Sequence, residues 1–450
     1  MPSGAADSRT LLAMSPPAPS APDASRSAWL VLGLLMLTTM LNVADRNLIS
    51  ILVRPIQAEF GVSDAMMGAL GGFWFALVHN AAIFPVARLA DRGSRRTIVS
   101  TGLFLWSGFT AVSGFVTGYW QLLLARMGVS AAESSGSAPV HSLISDYFPA
   151  HQRATALGWI SVGGVAGIGL GLAVGGVVAQ SFGWRSAFFA FGAPGLVLAA
   201  VVWAVVREPA RGAADGLESD AGPPPLSEVA RFLSARRGYV HMVLGSAFHA
   251  FSSMGTSFWY PAYLGRVHGV DLATTGLGFA LAGPALSAVG ALVGGRMADR
   301  LGRDDVRWYM RVPAWSAVLA MPSTLAFVLW PAGSTFELAG RALPVALLVL
   351  MPASFLGGMW AGPTLAMTQA IAKPRMRALA SAATTGTYNL IGLGLGPLLV
   401  GVLSDGLTPR FGDDALRYGL LVVALAHVVG SLHNWIAERH LAADLAAARS

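Results

Sequence analysis

Cysteine is absent from all 450 residues, which excludes disulfides and thiolate metal sites. Lysine is nearly absent. The single one, Lys373, is followed by Pro374, so no G-x-x-x-x-G-K-[ST] phosphate loop can be written in the chain. It therefore cannot be an ATP-driven pump by itself. Charge of either sign is scarce, at 12% of residues against about 25% in a soluble domain. Hydrophobic residues make up 54% and mean hydropathy is +0.59. These values describe an integral membrane protein, whatever domain count the length alone implies. Neither H-E-x-x-H nor G-x-S-x-G occurs, and Glu133 and Ser134 diverge by about 100° on a helix. With no nucleophile beside an oriented base, neither an enzyme nor a cofactor or metal is expected.

Crossing about 30 Å of hydrocarbon takes roughly 20 apolar residues. Twelve such spans are expected, at 29–53, 65–89, 97–117, 119–147, 153–181, 184–206, 239–265, 272–297, 308–331, 342–371, 377–404 and 415–437. The fold class is thus all-α and membrane-integral, with two six-helix bundles at 28–206 and 239–450. Residues 1–27, rich in Pro, Ala and Ser, read as a disordered tail. Helix 1 is too long and too far from the start for a cleaved signal peptide. The polar stretch 207–238 reads as a cytoplasmic linker, and LSEVARFLSARR (226–237) as an amphipathic helix on the membrane surface.

With both termini inside, 22 of the 30 basic residues fall in inner segments, six in outer segments and two, Arg46 and Arg126, within helices. That asymmetry is the positive-inside pattern. It explains the basic pI as orientation toward anionic lipid, with no need for nucleic acid. The sequence also repeats itself. FGVSDAMMGAL (60–70) aligns with HGVDLATTGLG (268–278), and RLADRGSRR (88–96) with RMADRLGRD (296–304), at one offset of 208 residues. Two parallel halves with substrate between them are the architecture of a rocking transporter.

GGRMADRLGR (294–303) resembles the loop motif of the major facilitator superfamily. The first copy departs from it, with Ala87 and Ser94 at the motif's glycines. The resemblance implies an inner gate built from Asp91, Arg92, Arg95, Asp299, Arg300 and Arg303; simple positive-inside anchoring is the competing explanation. Within the superfamily, LNVADRNLI (41–49), RMGVSAAES (126–134) and YNLIGLGLGPLLVGVLSD (388–405) resemble the Spinster branch, which implies sphingolipid or lysolipid transport. GLGLGP (392–397) is somewhat similar to the antiporter motif, although families usually place that motif in helix 5.

Charges inside the membrane are costly, about 2.5–3.5 kcal/mol each on insertion scales, so they face a cavity or a partner. Asp45 and Arg126 are expected at one height and able to pair. Arg126 and Glu133 lie two turns apart on one face, roughly 10 Å, so Arg126 cannot easily hold both carboxylates. Arg46, turned about 100° from Asp45, needs another partner. Competition among Asp45, Arg126, Glu133 and Arg46 for protons and partners would couple protonation to conformation; a static network is the alternative. The 208-residue offset maps Asp45 and Arg46 to Ser253 and Met254, so the second half lacks these charges. His141 and Ser137 follow Glu133 on one face as a conceivable proton relay. Asn42, His249, Trp259, Trp360 and Asn389 are candidate cavity residues with Arg126; His79, Trp74, Tyr260 and Tyr388 are weaker ones.

The expected function is proton-coupled alternating access by a monomer moving an amphipathic, anionic lipid, in a bacterial inner membrane. Its partners are that substrate, protons and membrane lipids. A carrier of small organic anions or drugs is the alternative.

Overall fold

The computed structural model describes residues 25–209, 225–338 and 340–449, without the side chains of Phe84, Ala87, Ala90, Asp91, Arg92, Ser137, Ala150 and Arg449. Most of the N-terminal tail and of the linker lies outside the described residues. The first span is one helix, α1 (Arg26–Phe60). Ser25 caps it by accepting from the Ala28 N–H, and Gly61, at φ +61°, ends it in the left-handed region that glycine favours. The expected end at residue 53 is therefore too early: a polar tail of α1 continues for two turns beyond the apolar run.

The second span joins α2 (Asp64–Gly68) to α3 (Trp74–Arg92) through a π-helical turn, Ala69–Phe73. Then come α4 (Arg95–Ser113), the broken pair α5 (Tyr119–Glu133) and α6 (Ser137–Tyr147), α7 (Ala150–Phe182) and α8 (Trp184–Val205). The break after Glu133 falls in the small run 130–138. Ser134 and Ser135 turn their hydroxyls back onto the carbonyls of Ala131 and Ala132, a local bond that competes with helix continuation.

After the linker, α9 (Leu226–Ser234) leads into α10 (Arg237–Val267). The amphipathic helix forms, with Leu226 exposed and two apolar residues turned onto the protein. Val229 and Leu233 are buried in a cluster with Met376, Ala380 and Leu441, and Phe232 packs against it. The bundle itself supplies the apolar surface this helix needs.

The eighth span is α11 (Leu272–Ala282) and α12 (Pro284–Leu301), and the ninth is α13 (Trp308–Leu329). An antiparallel hairpin, β1 (Thr335–Leu338) and β2 (Arg341–Pro344), intervenes. It corrects the expected start of the tenth span at 342. That span is α14 (Ala346–Gly357) and α15 (Ala361–Ile371). The eleventh runs from α16 (Arg377–Tyr388) through a π turn, Asn389–Leu395, into α17 (Gly396–Phe411). The twelfth is α18 (Ala415–Ala424) and α19 (Ala426–Arg449). Eight described helical runs are long and apolar enough to cross a membrane unaided, and the last, Pro374–Ala448, folds two crossings into one run.

One seam sets the position of the charged helix. Gly163, Gly167, Gly171 and Gly175 of α7 lie against Met36, Met40, Ala44 and Leu48 of α1, four residues apart on both helices. A Cβ at Gly163 would come within 2.7 Å of Met36 and one at Gly175 within 2.6 Å of Leu48. Lipid provides no hydrophobic drive for helix association, so such small faces hold helices by close contact. Asp45 follows Ala44 directly, and this seam fixes its depth and rotation.

The halves meet on the side opposite the chain termini, here the far face. Missing Cβ atoms make the contact reciprocal. Gly68 sits against the Pro397 carbonyl and Gly401 against that of Asp64, while Gly176 meets Leu272 and Gly276 meets Leu172. Among the described residues, every hydrogen bond and ion pair joining the halves lies on this face. The halves are latched together there.

Candidate functional site: a buried double ion pair

Two helices bring four charges together. Arg126, on α5, donates through Nη1 to Asp45 Oδ1 and Oδ2 at 3.1 and 3.0 Å. Arg46 Nη2 donates to Glu133 Oε2 at 2.7 Å. The unassigned partner of Arg46 is thus Glu133, which uses one of its two carboxylate oxygens for this pair. Asp45, Arg126 and Glu133 are each only 2% exposed; the Arg46 side chain is 31% exposed.

Phe75, buried on α3, is a member of this site that carries no charge to announce it. Arg46 and Arg126 lie 5.0 and 5.9 Å from its ring centroid, where the negative face of the ring favours cations. Ser130 anchors the strand of contacts: its hydroxyl donates to the Phe75 carbonyl at 2.6 Å, and its own carbonyl faces His79 Nδ1 at 3.3 Å.

The site is balanced in charge but not fully bonded. Glu133 Oε1, Arg46 Nε and Asn42 Nδ2 are buried without a hydrogen-bond partner, and a buried polar atom left so is costly. A cavity of about 60 Å³ lies beside Asn42, lined also by Thr38, Trp106, Gly136, Val140, His141 and Ile160. It exceeds the space one water needs. His141 and Asn42 therefore share one cavity, while the side chain of Ser137 lies outside the described residues.

The other expected cavity residues are placed elsewhere. His249 is 1% exposed and packs in the second half against His427, with Asn434 at 2.9 Å from its Nε2. Trp259 is fully buried and its indole donates to the Pro397 carbonyl at 2.8 Å. Tyr260 is buried against Phe279 and Phe327. All three make helix-packing contacts in this conformation. Trp360 and Asn389 are half-buried; Trp360 meets Tyr388 edge to face at 5.3 Å, and Asn389 opens the π turn. Trp74 follows the other π turn.

The residues of the expected inner gate are described in part. The side chains of Asp91 and Arg92 lie outside the described residues. Arg95 is buried and stays within its own half, bound to Glu208 at 2.8 Å, Ser142 at 3.0 Å, the Pro209 carbonyl at 2.8 Å and Asp146. Asp299 accepts from Tyr309 at 2.7 Å. Arg300 and Arg303 are exposed and form no ion pair among the described residues. Among the described side chains of this set, no bond crosses between the halves. Glu208 is set by the Arg95 cluster: burial alone would raise it, but the Arg96 backbone N–H and the Arg95 and Ser94 side chains outweigh that and hold its carboxyl below the usual range.

Comparison with known proteins agrees with this architecture. The Major Facilitator Superfamily matches residues 35–431. An MFS-type efflux pump of Mycolicibacterium smegmatis is 34% identical over 425 residues, 93% of this chain and 95% of that protein. The sphingosine-1-phosphate transporter SPNS2 of Danio rerio is 28% identical, covering 90% of this chain and 83% of the relative. A crystal structure of a bacterial homologue of the human lysosomal transporter Spinster, inward-facing and unoccupied, superposes with a TM-score of 0.81. It is 26% identical over 94% of this chain and 99% of its own. The chain is a multi-pass membrane transporter, not an enzyme, and belongs to the Spinster branch of the major facilitator superfamily.

Proposed function

We propose that this transporter couples proton movement to alternating access and carries an anionic, amphipathic lipid of the sphingolipid or lysophospholipid type. The observation that carries the reading is the arrangement of two ion pairs, Asp45–Arg126 and Arg46–Glu133, side by side in one half. Protonating Asp45 strands the buried guanidinium of Arg126, and protonating Glu133 releases the half-exposed Arg46; each then favours any state that offers it an anion. A substrate headgroup is such an anion. Proton occupancy shifts the population only through this difference between states. Expected roles carry over unchanged for Asp45, Arg126, Arg46 and Glu133, with Glu133 holding Arg46 rather than awaiting Arg126. The loop residues Asp91, Arg92, Arg95, Asp299, Arg300 and Arg303 gate the termini face when it closes. We place both termini in the cytoplasm of a bacterial cell, with a monomer in the inner membrane.

The relative named as an efflux pump favours a second reading, in which the cargo is a small organic anion or a drug. Reconstituted protein separates the two. Uptake of a fluorescent lysolipid into proteoliposomes, driven by a pH gradient in wild type and uncoupled from it in Asp45→Asn, supports lipid transport. Gradient-driven uptake of a small anion with no movement of lipid overturns it.

A further inference from the structure

The far face carries a second charge cluster that the buried pairs do not use. Arg266, near the end of α10, donates through Nη1 to Asp64 Oδ2 at 2.7 Å and through Nη2 to Gln57 Oε1 at 2.8 Å, with Asp64 Oδ1 also in contact. Ser404 Oγ and Gln57 Nε2 complete the shell of Asp64 at 2.6 and 2.8 Å. Asp405, in the second half, accepts from the backbone N–H groups of Asp64 and Ala65 at 2.9 and 2.8 Å. Two carboxylates thus meet in the seam between the halves. Arg266 from the second half holds the Asp64 carboxylate, while backbone N–H groups of the first half hold that of Asp405.

Beside Arg266 opens a cavity of about 500 Å³, lined by Arg54, Pro55, Gln57, Arg266, Leu272 and Asp413. Arg54 is exposed and has no carboxylate within ion-pair distance among the described residues. Its guanidinium lies against Gly265, where a Cβ would displace it. The cavity therefore presents one unpaired guanidinium from the first half and one latch guanidinium from the second, with a single carboxylate, Asp413, among its lining.

We propose that this cavity binds an anionic group between Arg54 and Arg266, and that the bound anion draws Arg266 from Asp64 and so unlatches the far face. The shared chemistry is a phosphate or carboxylate, either free or as the headgroup of an amphiphile whose first carbons rest on Pro55 and Leu272. The opening step rests on the alternating-access reading above; the binding step does not.

The chain holds no cysteine, so spin labels can be placed without background at Thr117→Cys and Gly406→Cys, exposed far-face positions in opposite halves. In nanodiscs, decyl phosphate is expected to add a longer label–label distance that uncharged decyl maltoside does not. Inorganic phosphate in a parallel sample separates the sources: a response to both anions assigns a free-anion site, and a response to decyl phosphate alone assigns an amphiphile site. Asp64→Asn is expected to show the longer distance without any anion. Arg54→Gln is expected to lose the response, and Gly265→Ala to weaken it. The proposal is overturned if neither anion lengthens the distance, if Arg54→Gln responds like its parent, or if Asp64→Asn stays closed. Label distances that respond in a protein that moves no lipid would sink the substrate assignment and leave this site standing.

Discussion

Arg46 and Glu133 are joined at 2.7 Å, yet the arginine side chain is 31% exposed and the glutamate side chain is fully buried. The pair is therefore a one-sided door. Water reaches it through Arg46, while the second oxygen of Glu133 faces inward with no partner. Removing the carboxylate charge without changing its shape should release Arg46. Glu133→Gln is expected to flatten the pH dependence of uptake while keeping the melting temperature close to that of wild type, because Arg46 can turn to solvent. A variant that melts far lower with an intact pH profile would assign Glu133 to structure alone.

The Asp45–Arg126 pair should behave differently, because both members are buried. Stranding one charge of a buried pair costs about 3–5 kcal/mol. Asp45→Asn and Arg126→Gln are each expected to destabilise strongly, and the double variant less than the two singles added. A coupling energy of roughly 0.5–3 kcal/mol from chemical or thermal denaturation in detergent would mark the pair as direct. Additive effects would show that each residue answers to other partners.

Helix 1 owes its place to the glycine stripe. Gly171→Val is expected to push α1 away from α7 and cost about 1–3 kcal/mol, as overpacking does. It should also disturb uptake through Asp45. Gly158→Val, at a helical glycine with nothing within 4 Å, serves as the control and should lack the overpacking penalty. Thermal melts of the two variants decide it.

At the termini face, the depressed Glu208 carboxyl gives a pH window with a definite sign. A carboxylate held below its usual range contributes stability above its unfolded value, about 4.3, and loses it as pH falls through the folded value. The Arg95–Glu208 attachment should therefore resist protease cleavage near residue 208 at neutral pH and fail in acid. Glu208→Gln should be cleaved readily at both. Equal protection of the variant at neutral pH would show that Asp146, Ser142 and Pro209 suffice to hold Arg95.

Much of the molecule was legible before folding. Repeated apolar runs marked the spans, and the loop repeat marked the two halves. The same offset even carries helix caps: Ser63 accepts from the Met66 N–H and Asp271 from the Thr274 N–H. Charges in hydrocarbon stand out because they are rare and costly, so Asp45, Arg46, Arg126 and Glu133 were visible as a set. Phe75 was not, because an aromatic in a membrane helix has many ordinary reasons to be there. The Asp64–Arg266–Asp405 cluster was missed for another reason. Asp64 sits at the mouth of a span, where charge is unremarkable, and its partners lie more than 200 residues away.

Composition and periodicity by themselves determined that the chain enters a membrane, crosses it repeatedly in two related halves and carries four charges within the helices of one of them. Those are properties of local segments, fixed by the cost of exposing polar groups to lipid. Which charges pair, which aromatics pack rather than line a cavity, and which face is closed were decided only in the tertiary structure. Each depends on the rotation and depth of one helix against another. That geometry is set by contacts such as Gly171 on Ala44, between residues that are distant in the chain.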